Sequence, residues 1–446
     1  AVDAYENAYT AGNSEADYAL FQKAFASGLL QEHQKKIGDL ATLMSRFPQS
    51  PYGDDAQYET GRAYERLKDD NKAISSYKSL LTQYPESSLR PKALLQLGLI
   101  AYNRNNFDES IGYYKEVAEK YPDSPEAKGA LTGIKNNYLE SNNVDEYISY
   151  TKTLGKSATP TVSEQDSLTY QSAEKLFMAG DSKAKQQLEK YLGNFPEGGF
   201  ALNARFYKAE CEFKENNKAA ALADYDWVLT QSENIFTENS LLRASELSYL
   251  TGDFNKALGY YERLAKFSGS NQNELIALAG QMRCQYELKN YQAVSALGWK
   301  IRSTEKIPQE LDREATYKSA KALVELSDGA KAIPLWRKLS ADTKSKEGAE
   351  AKYMMCQYYF DSNKLKEAEN EVMNFIDKNT PHQYWLAKSF IVLAKTYEKQ
   401  NDLFQATHTL KSVIENYEVK DDGILDEATA YLQQLENNSS AQSDKK

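Results

Sequence analysis

Histidine and cysteine are scarce in this chain, three of each in 446 residues. His33, His382 and His408 stand far apart, with no HExxH or HxxxH spacing to join them. A metal centre or imidazole chemistry needs several such groups to converge. No P-loop, GxGxxG, GxSxG or CxxC occurs either. The expectation is therefore no catalytic residue, no metal, no cofactor and no enzymatic activity. Positive charge is in deficit, 54 Lys and Arg against 64 Asp and Glu for a net charge of −10. A nucleic-acid partner is not expected, because phosphate binding needs a basic surface that releases counterions. No apolar run approaches the ~18 residues of a membrane-spanning helix. With only 11 Pro and 22 Gly, the chain is neither low-complexity nor collagenous.

What the chain has is a ruler. A small residue recurs eleven times, at Ala19, Ala56, Ala93, Ala130, Ser167, Ala204, Ser240, Ala277, Ala315, Ala351 and Ser389, in steps of 36 to 38 residues. Such a period marks an array of repeats rather than one compact domain. Within the clearest unit, Ala56, Thr60, Gly61 and Tyr64 share one face of a first helix, A. The polar run Lys68-Asp69-Asp70-Asn71 turns the chain, and Ala73, Ile74, Tyr77, Leu80 and Leu81 form the apolar face of a second helix, B. Pro85 restricts Tyr84 to extended backbone and ends helix B. Small side chains at Gly61 and Ala73 fit a close helix crossing, with Tyr64 and Tyr77 filling the space around it. The Ala73 slot is matched in the other repeats except at Lys36, Tyr147 and Val294, which mark the first, fourth and eighth repeats as degenerate.

The segments TGRAYERLKDDNKAISSYKSLLTQYP, LGLIAYNRNNFDESIGYYKEVAEKYP and YLTGDFNKALGYYERL resemble the tetratricopeptide repeat, a helical hairpin of about 34 residues. The resemblance covers about residues 17 to 418. It implies an all-α fold: an α-solenoid, a right-handed superhelix of about eleven hairpins plus a C-terminal capping helix. The length beyond 34 sits in connections such as Phe47-Pro48-Gln49-Ser50, Tyr84-Pro85-Glu86-Ser87 and Tyr121-Pro122-Asp123-Ser124. This aromatic-Pro-x-Ser pattern is similar to repeats of bacterial cell-envelope proteins, such as the Tol-Pal coordinator and the outer-membrane assembly lipoprotein. That similarity implies a periplasmic or outer-membrane-associated location, in a membrane-associated complex.

The expected organisation is an N-terminal arm over 1–151, a joint at 152–163 around Gly155 and Pro160, and a second arm over 164–420. A capping helix over 421–436 presents Ile424, Ala428, Tyr431 and Leu435 on one face, and 437–446 is expected to be a disordered tail. The start lacks an initiator Met and a signal peptide. Val2, Tyr5 and Tyr9 read as the end of an earlier helix over the apolar stripe Tyr18, Phe21, Phe25 and Leu29, so further repeats are expected before Ala1.

Most aromatic residues are accounted for by packing. Tyr77, Tyr114, Tyr225, Tyr261 and Trp336 share one helix B position. Cys211 and Cys284 share a helix A slot, with Cys356 two positions earlier in its own repeat, and read as small buried residues. Their repeats lie too far apart for a disulfide. By the resemblance, a helix A slot holding Phe21, Tyr58, Leu95, Phe206, Tyr317 and Tyr353 lines the concave face, beside a slot that includes Arg62, Arg283 and Lys321. Tyrosine suits a binding surface, with apolar area and a polar tip. The sign of charge alternates along the second slot, which excludes a trough of one sign. Chaperone-tail-binding members clamp a carboxylate with Lys at a fixed helix A position that is not Lys in any repeat here. The functional expectation is a non-catalytic scaffold that binds proteins or peptides on its concave face through Phe21, Tyr58, Arg62, Leu95, Phe206, Arg283, Tyr317, Lys321 and Tyr353. The alternative is a carbohydrate-binding component of an outer-membrane nutrient-uptake system.

Overall fold

A computed structural model describes residues 1–12, 14–267 and 269–443, the last six as backbone only. The described residues form 24 helices and no strand. They divide into two compact units, Ala1–Glu215 and Asn216–Lys446. The first unit runs α1 Val2–Thr10, α2 Ala16–Leu29, α3 His33–Arg46, α4 Gly53–Arg66, α5 Asp70–Gln83, α6 Arg90–Asn103, α7 Phe107–Lys120, α8 Pro125–Glu140, α9 Val144–Thr153, α10 Val162–Met178, α11 Ala184–Asn194 and α12 Ala201–Lys214. The second runs α13 Lys218–Thr230, α14 Thr237–Leu250, α15 Phe254–Phe267, α16 Asn271–Glu287, α17 Tyr291–Arg302, α18 Gln309–Glu325, α19 Gly329–Leu339, α20 Lys346–Asp361, α21 Leu365–Ile376, α22 Gln383–Lys399, α23 Leu403–Asn416 and α24 Ile424–Ser443. The architecture is an all-α solenoid.

All eleven ruler residues fall on the even-numbered helices α2 to α22, and all but the half-buried Ser167 are buried. These are the A helices. Each ends on one residue or glycine with positive φ: Gln31, Lys68, Asn105, Asn142, Gly180, Asn216, Gly252, Lys289, Ser327, Asn363 and Asn401. The left-handed residue lets the next amide reach back and close the helix end, as in Asp69 N–H to Tyr64 O at 2.9 Å. From the ruler residue to the small helix B slot the count is 17 residues in every repeat, as in Ala56 to Ala73 and Ser389 to Ala406. All the variation in step lies between helix B and the next helix A.

The helix crossing is tighter than small side chains alone require. A Cβ on Gly61 would lie 2.5 Å from the Tyr77 ring, and one on Gly98 or Gly133 would lie 2.5 or 2.4 Å from the Tyr114 ring. Tyr114 is thus gripped by its own A helix, α6, and by the next, α8. Tyr77, Leu80 and Ala73 are fully buried, and each large ring withdrawn from water contributes roughly 1.5–3 kcal/mol. At the close of helix B, Tyr84 sits at φ −126°, ψ 71° before Pro85, outside the helical region that the proline ring disfavours for its predecessor though short of fully extended backbone.

The three degenerate slots are accommodated. Val294 is fully buried, and Tyr147 packs its ring 6.4 Å from Tyr138. Lys36 is also buried. The stretch read as a joint is the irregular connection 154–161 between α9 and α10, inside the first unit; Gly155 has φ +98°. Thr161 closes it with a capping box to Glu164. The two compact units meet in sequence at Glu215 and Asn216. At the other end, Ile424, Ala428 and Leu435 are buried as expected of a cap. Helix α24, however, continues through seven residues assigned to the tail, to Ser443; 444–446 lie outside the described residues.

Candidate functional site

In the second unit, the slot residues join one A helix to the next. Arg283 on α16 makes a two-pronged bond to Glu314 on α18, at 2.8 and 2.6 Å. Tyr317 O–H donates to one oxygen of Glu350 on α20 at 2.8 Å, and Lys321 Nζ to the other at 3.0 Å. Burial, reinforced by that carboxylate, pushes the Tyr317 hydroxyl up to about 12. Tyr353 stacks on Trp385, with ring centroids 5.5 Å apart. Lys318 lies over the Tyr286 ring at 4.0 Å, and burial lowers its pKa. These groups are largely occupied by their neighbours.

In the first unit, Phe21 stacks on Tyr52 at 5.4 Å and Tyr58 tilts against Tyr77 at 5.6 Å. Leu95 lies beside Gly129, and Phe206 is buried. Of the first-unit candidates Arg62 alone is exposed, and it lines an open cavity of about 260 Å³ between α2, α3 and α4.

That cavity begins with the exception at Lys36. A long side chain at the crossing slot fits because α2 carries Gly28 opposite it, where a Cβ would lie 2.9 Å from Lys36 Cδ. The ammonium passes this gap and pairs with Glu59 Oε2 on α4. The other oxygen, Oε1, accepts from Arg62 Nη1 at 2.9 Å. Burial favours the neutral form of Glu59, but the Lys36 bond and charge, with Arg62, hold its carboxyl below the ordinary value. Arg66 stands one turn beyond Arg62, exposed and without an ion-pair partner among the described residues. Across the mouth, Phe25 and Leu29 on α2 are 45% and 73% exposed.

Two of the hairpins bear a recognisable family pattern. A tetratricopeptide repeat family model matches residues 55–87 and 92–124. These two hairpins are tetratricopeptide repeats. Glu59, Arg62 and Arg66 thus belong to the first matched repeat, and Phe25, Leu29 and Lys36 to the hairpin before it. Among solved structures, the chain is similar to one titled Naa15/Naa10 bound to HypK-THB, with 17% identity over 99% of this chain and 64% of that one, TM-score 0.43. It spans only that 64% of the matched chain's length. Yeast Tom70 gives 12% identity, 96% and 97% coverage and TM-score 0.32. A tetratricopeptide repeat protein of Parabacteroides merdae gives 13%, 69% and 99% coverage and 0.26. No curated protein matches the sequence.

Among the described residues, no three His, Cys, Asp or Glu side chains are grouped to hold a metal ion, and no helix is long and apolar enough to cross a membrane. Cys284 and Cys356 are buried and free, and burial pushes their thiols up to about 11 and about 12. Sequence reasoning named Arg62 but not Lys36, Glu59 or Arg66 as site residues. The available signal was Lys36, a charge at a repeat position otherwise held mostly by small residues.

Proposed function

We propose that this tetratricopeptide-repeat chain is a non-catalytic scaffold that binds partner proteins or peptides through the A-helix faces, in a bacterial cell envelope. The observation that supports binding is the open α2/α4 cavity, where guanidinium and exposed apolar groups stand together on a frame whose other slot residues are mostly engaged. Repeat hairpins bury their faces on one another, so a wall left open is the natural place for a partner. The rings that would serve as sugar platforms, Tyr353 with Trp385 and Phe21 with Tyr52, are stacked on each other, which weighs against the carbohydrate reading.

The envelope location rests on the aromatic-Pro-x-Ser connections. Fractionation of the native cells tests it, with the protein expected in the periplasmic or outer-membrane fraction and recovery in the cytosol alone overturning it. Binding is tested by cross-linking the full chain in its native extract and identifying linked residues. Links concentrated on α2 and α4 support the reading, and links confined to the outer faces of the B helices overturn it.

A further inference from the structure

The cavity between α2, α3 and α4 has a definite electrostatic character. Lys36, Arg62 and Arg66 against Glu59 give it a formal charge of +3 − 1 = +2, in a chain whose net charge is −10. Glu59 spends both oxygens inward, one on Lys36 and one on a single Arg62 N–H. Because Lys36 is buried and anchors Glu59 from behind, the Arg62 guanidinium is tied to the cavity by one N–H while its side chain stays 47% exposed. A preorganised fork of this kind loses little freedom on binding, and guanidinium geometry matches a carboxylate. Arg66 supplies a second, exposed guanidinium on the same helix, with no ion-pair partner among the described residues. Phe25 and Leu29 on the opposite wall would gain from covering, at roughly 25 cal/mol for each Å² removed from water.

We propose that this cavity seats an acidic peptide segment of a partner protein, with a carboxylate side chain between Arg62 and Arg66 and an adjacent bulky apolar side chain against Phe25 and Leu29. The proposal rests on the scaffold reading and specifies the partner chemistry. The local excess of positive charge selects an acidic ligand and disfavours a basic one, and the apolar wall selects a peptide over a bare anion.

The test is selection of a random 12-residue phage-displayed peptide library on the intact chain, followed by fluorescence anisotropy with the synthesised peptides. Enriched peptides are expected to carry Asp or Glu beside Leu, Ile or Phe. Binding should fall at least tenfold in Arg62→Glu/Arg66→Glu and severalfold in Phe25→Ser/Leu29→Ser. Replacing the peptide's acidic residue by Lys should restore binding to the charge-reversed variant. Arg66→Gln, a change at an exposed position, gives the same direction of loss if the double variant loses helical circular dichroism. Peptides that bind all variants equally overturn the site and leave the scaffold reading standing. Basic peptides, or inorganic phosphate binding as well as any peptide, also overturn it. No enrichment of any sequence overturns both.

Discussion

Ser87 donates a 2.6 Å hydrogen bond from Oγ to Asp54 Oδ2, joining the connection after α5 to the first turn of α4, 33 residues earlier. Ser50 and Asp17 repeat the bond at 2.7 Å, and the Gly199 amide makes its counterpart to Asp166 at 2.8 Å. Each serine oxygen also accepts from an amide two residues on, Tyr52 and Leu89. The serine of the aromatic-Pro-x-Ser connection is thus a clasp between the two ends of one hairpin. In the next hairpin the acceptor position is Pro91, and Ser124 Oγ is buried without a partner. Ser87→Ala is therefore expected to cost about 1.5 kcal/mol, the worth of a bond to a charged acceptor. Ser124→Ala should change stability by less than about 0.5 kcal/mol. Urea unfolding of the two variants compares them directly.

Glycines in two helices should respond with opposite sign. Gly98→Ala drives a methyl against the buried Tyr114 ring, so a loss of about 1–3 kcal/mol is expected. Gly112, exposed within α7, has no described atom beyond its chain neighbours and its own helix backbone within 4 Å of its would-be Cβ. Gly112→Ala should stabilise by about 0.5–1 kcal/mol, the helix-propensity difference. Thermal melts of both variants decide it, and a destabilised Gly112→Ala would contradict the open space.

Lys68 and Lys289 hold left-handed backbone at φ 59° and 58°. For an L-residue that conformation costs about 1–2 kcal/mol, and its relief by glycine is partly offset by the greater entropy glycine gives the unfolded chain. Lys68→Gly and Lys289→Gly should each gain about 0.5–1 kcal/mol in denaturant titrations. Lys68→Val, β-branched, should lose stability.

The Lys36–Glu59 pair gives a pH signature. The Lys36 and Arg62 cations hold the folded pKa of Glu59 below the ordinary 4.5 of a glutamate. Its contribution is therefore fully present above 4.5 and is lost as pH falls through the depressed folded value. Glu59→Gln should flatten the stability profile below pH 4.5. Lys36→Ala removes the buried partner of Glu59, leaves its carboxylate only the half-exposed Arg62, and is expected to cost about 2 kcal/mol at pH 7, whereas Lys36→Met/Glu59→Met should be close to neutral.

The thiols should differ in reactivity. Cys356 is buried with a pKa near 12, so iodoacetamide at pH 8 should label it only after unfolding, while half-buried Cys211 reacts first in the native protein. Mass spectrometry of a timed labelling series gives the order.

The fold was legible because packing repeats itself. Ala56, Tyr77 and Leu80 each stand for a whole row of positions, and one unit suffices to assign eleven A helices and the buried roles of Tyr225 and Trp336. The turn at Lys68-Asp69-Asp70-Asn71 could be read, but not which residue takes positive φ, since lysine, asparagine, glutamine, serine and glycine share that duty along the chain. The extension of α24 to Ser443 was hidden by a wholly polar stretch, which carries no apolar period. Slot position set Tyr317, Lys321 and Tyr353 apart as candidates but carried no sign that neighbours would occupy them, because Glu350 and Trp385 come from a different repeat. The cavity was harder still. Lys36 read as a lapse in the pattern, and its compensation depends on Gly28 and Glu59 meeting it from two other helices.

The constant count of 17 residues between the ruler residue and the helix B slot, set against steps of 36 to 38 overall, divides the chain into places that tolerate length change and places that do not. An added residue in the A-to-B turn would rotate helix B by about 100° and carry its buried ring out to water. The same residue added after helix B enters a connection whose length already varies, and every hairpin downstream keeps its own register. Insertions that introduce new surface could therefore enter at any of these connections without redesign of the array, and a frame error in one hairpin would remain confined to it.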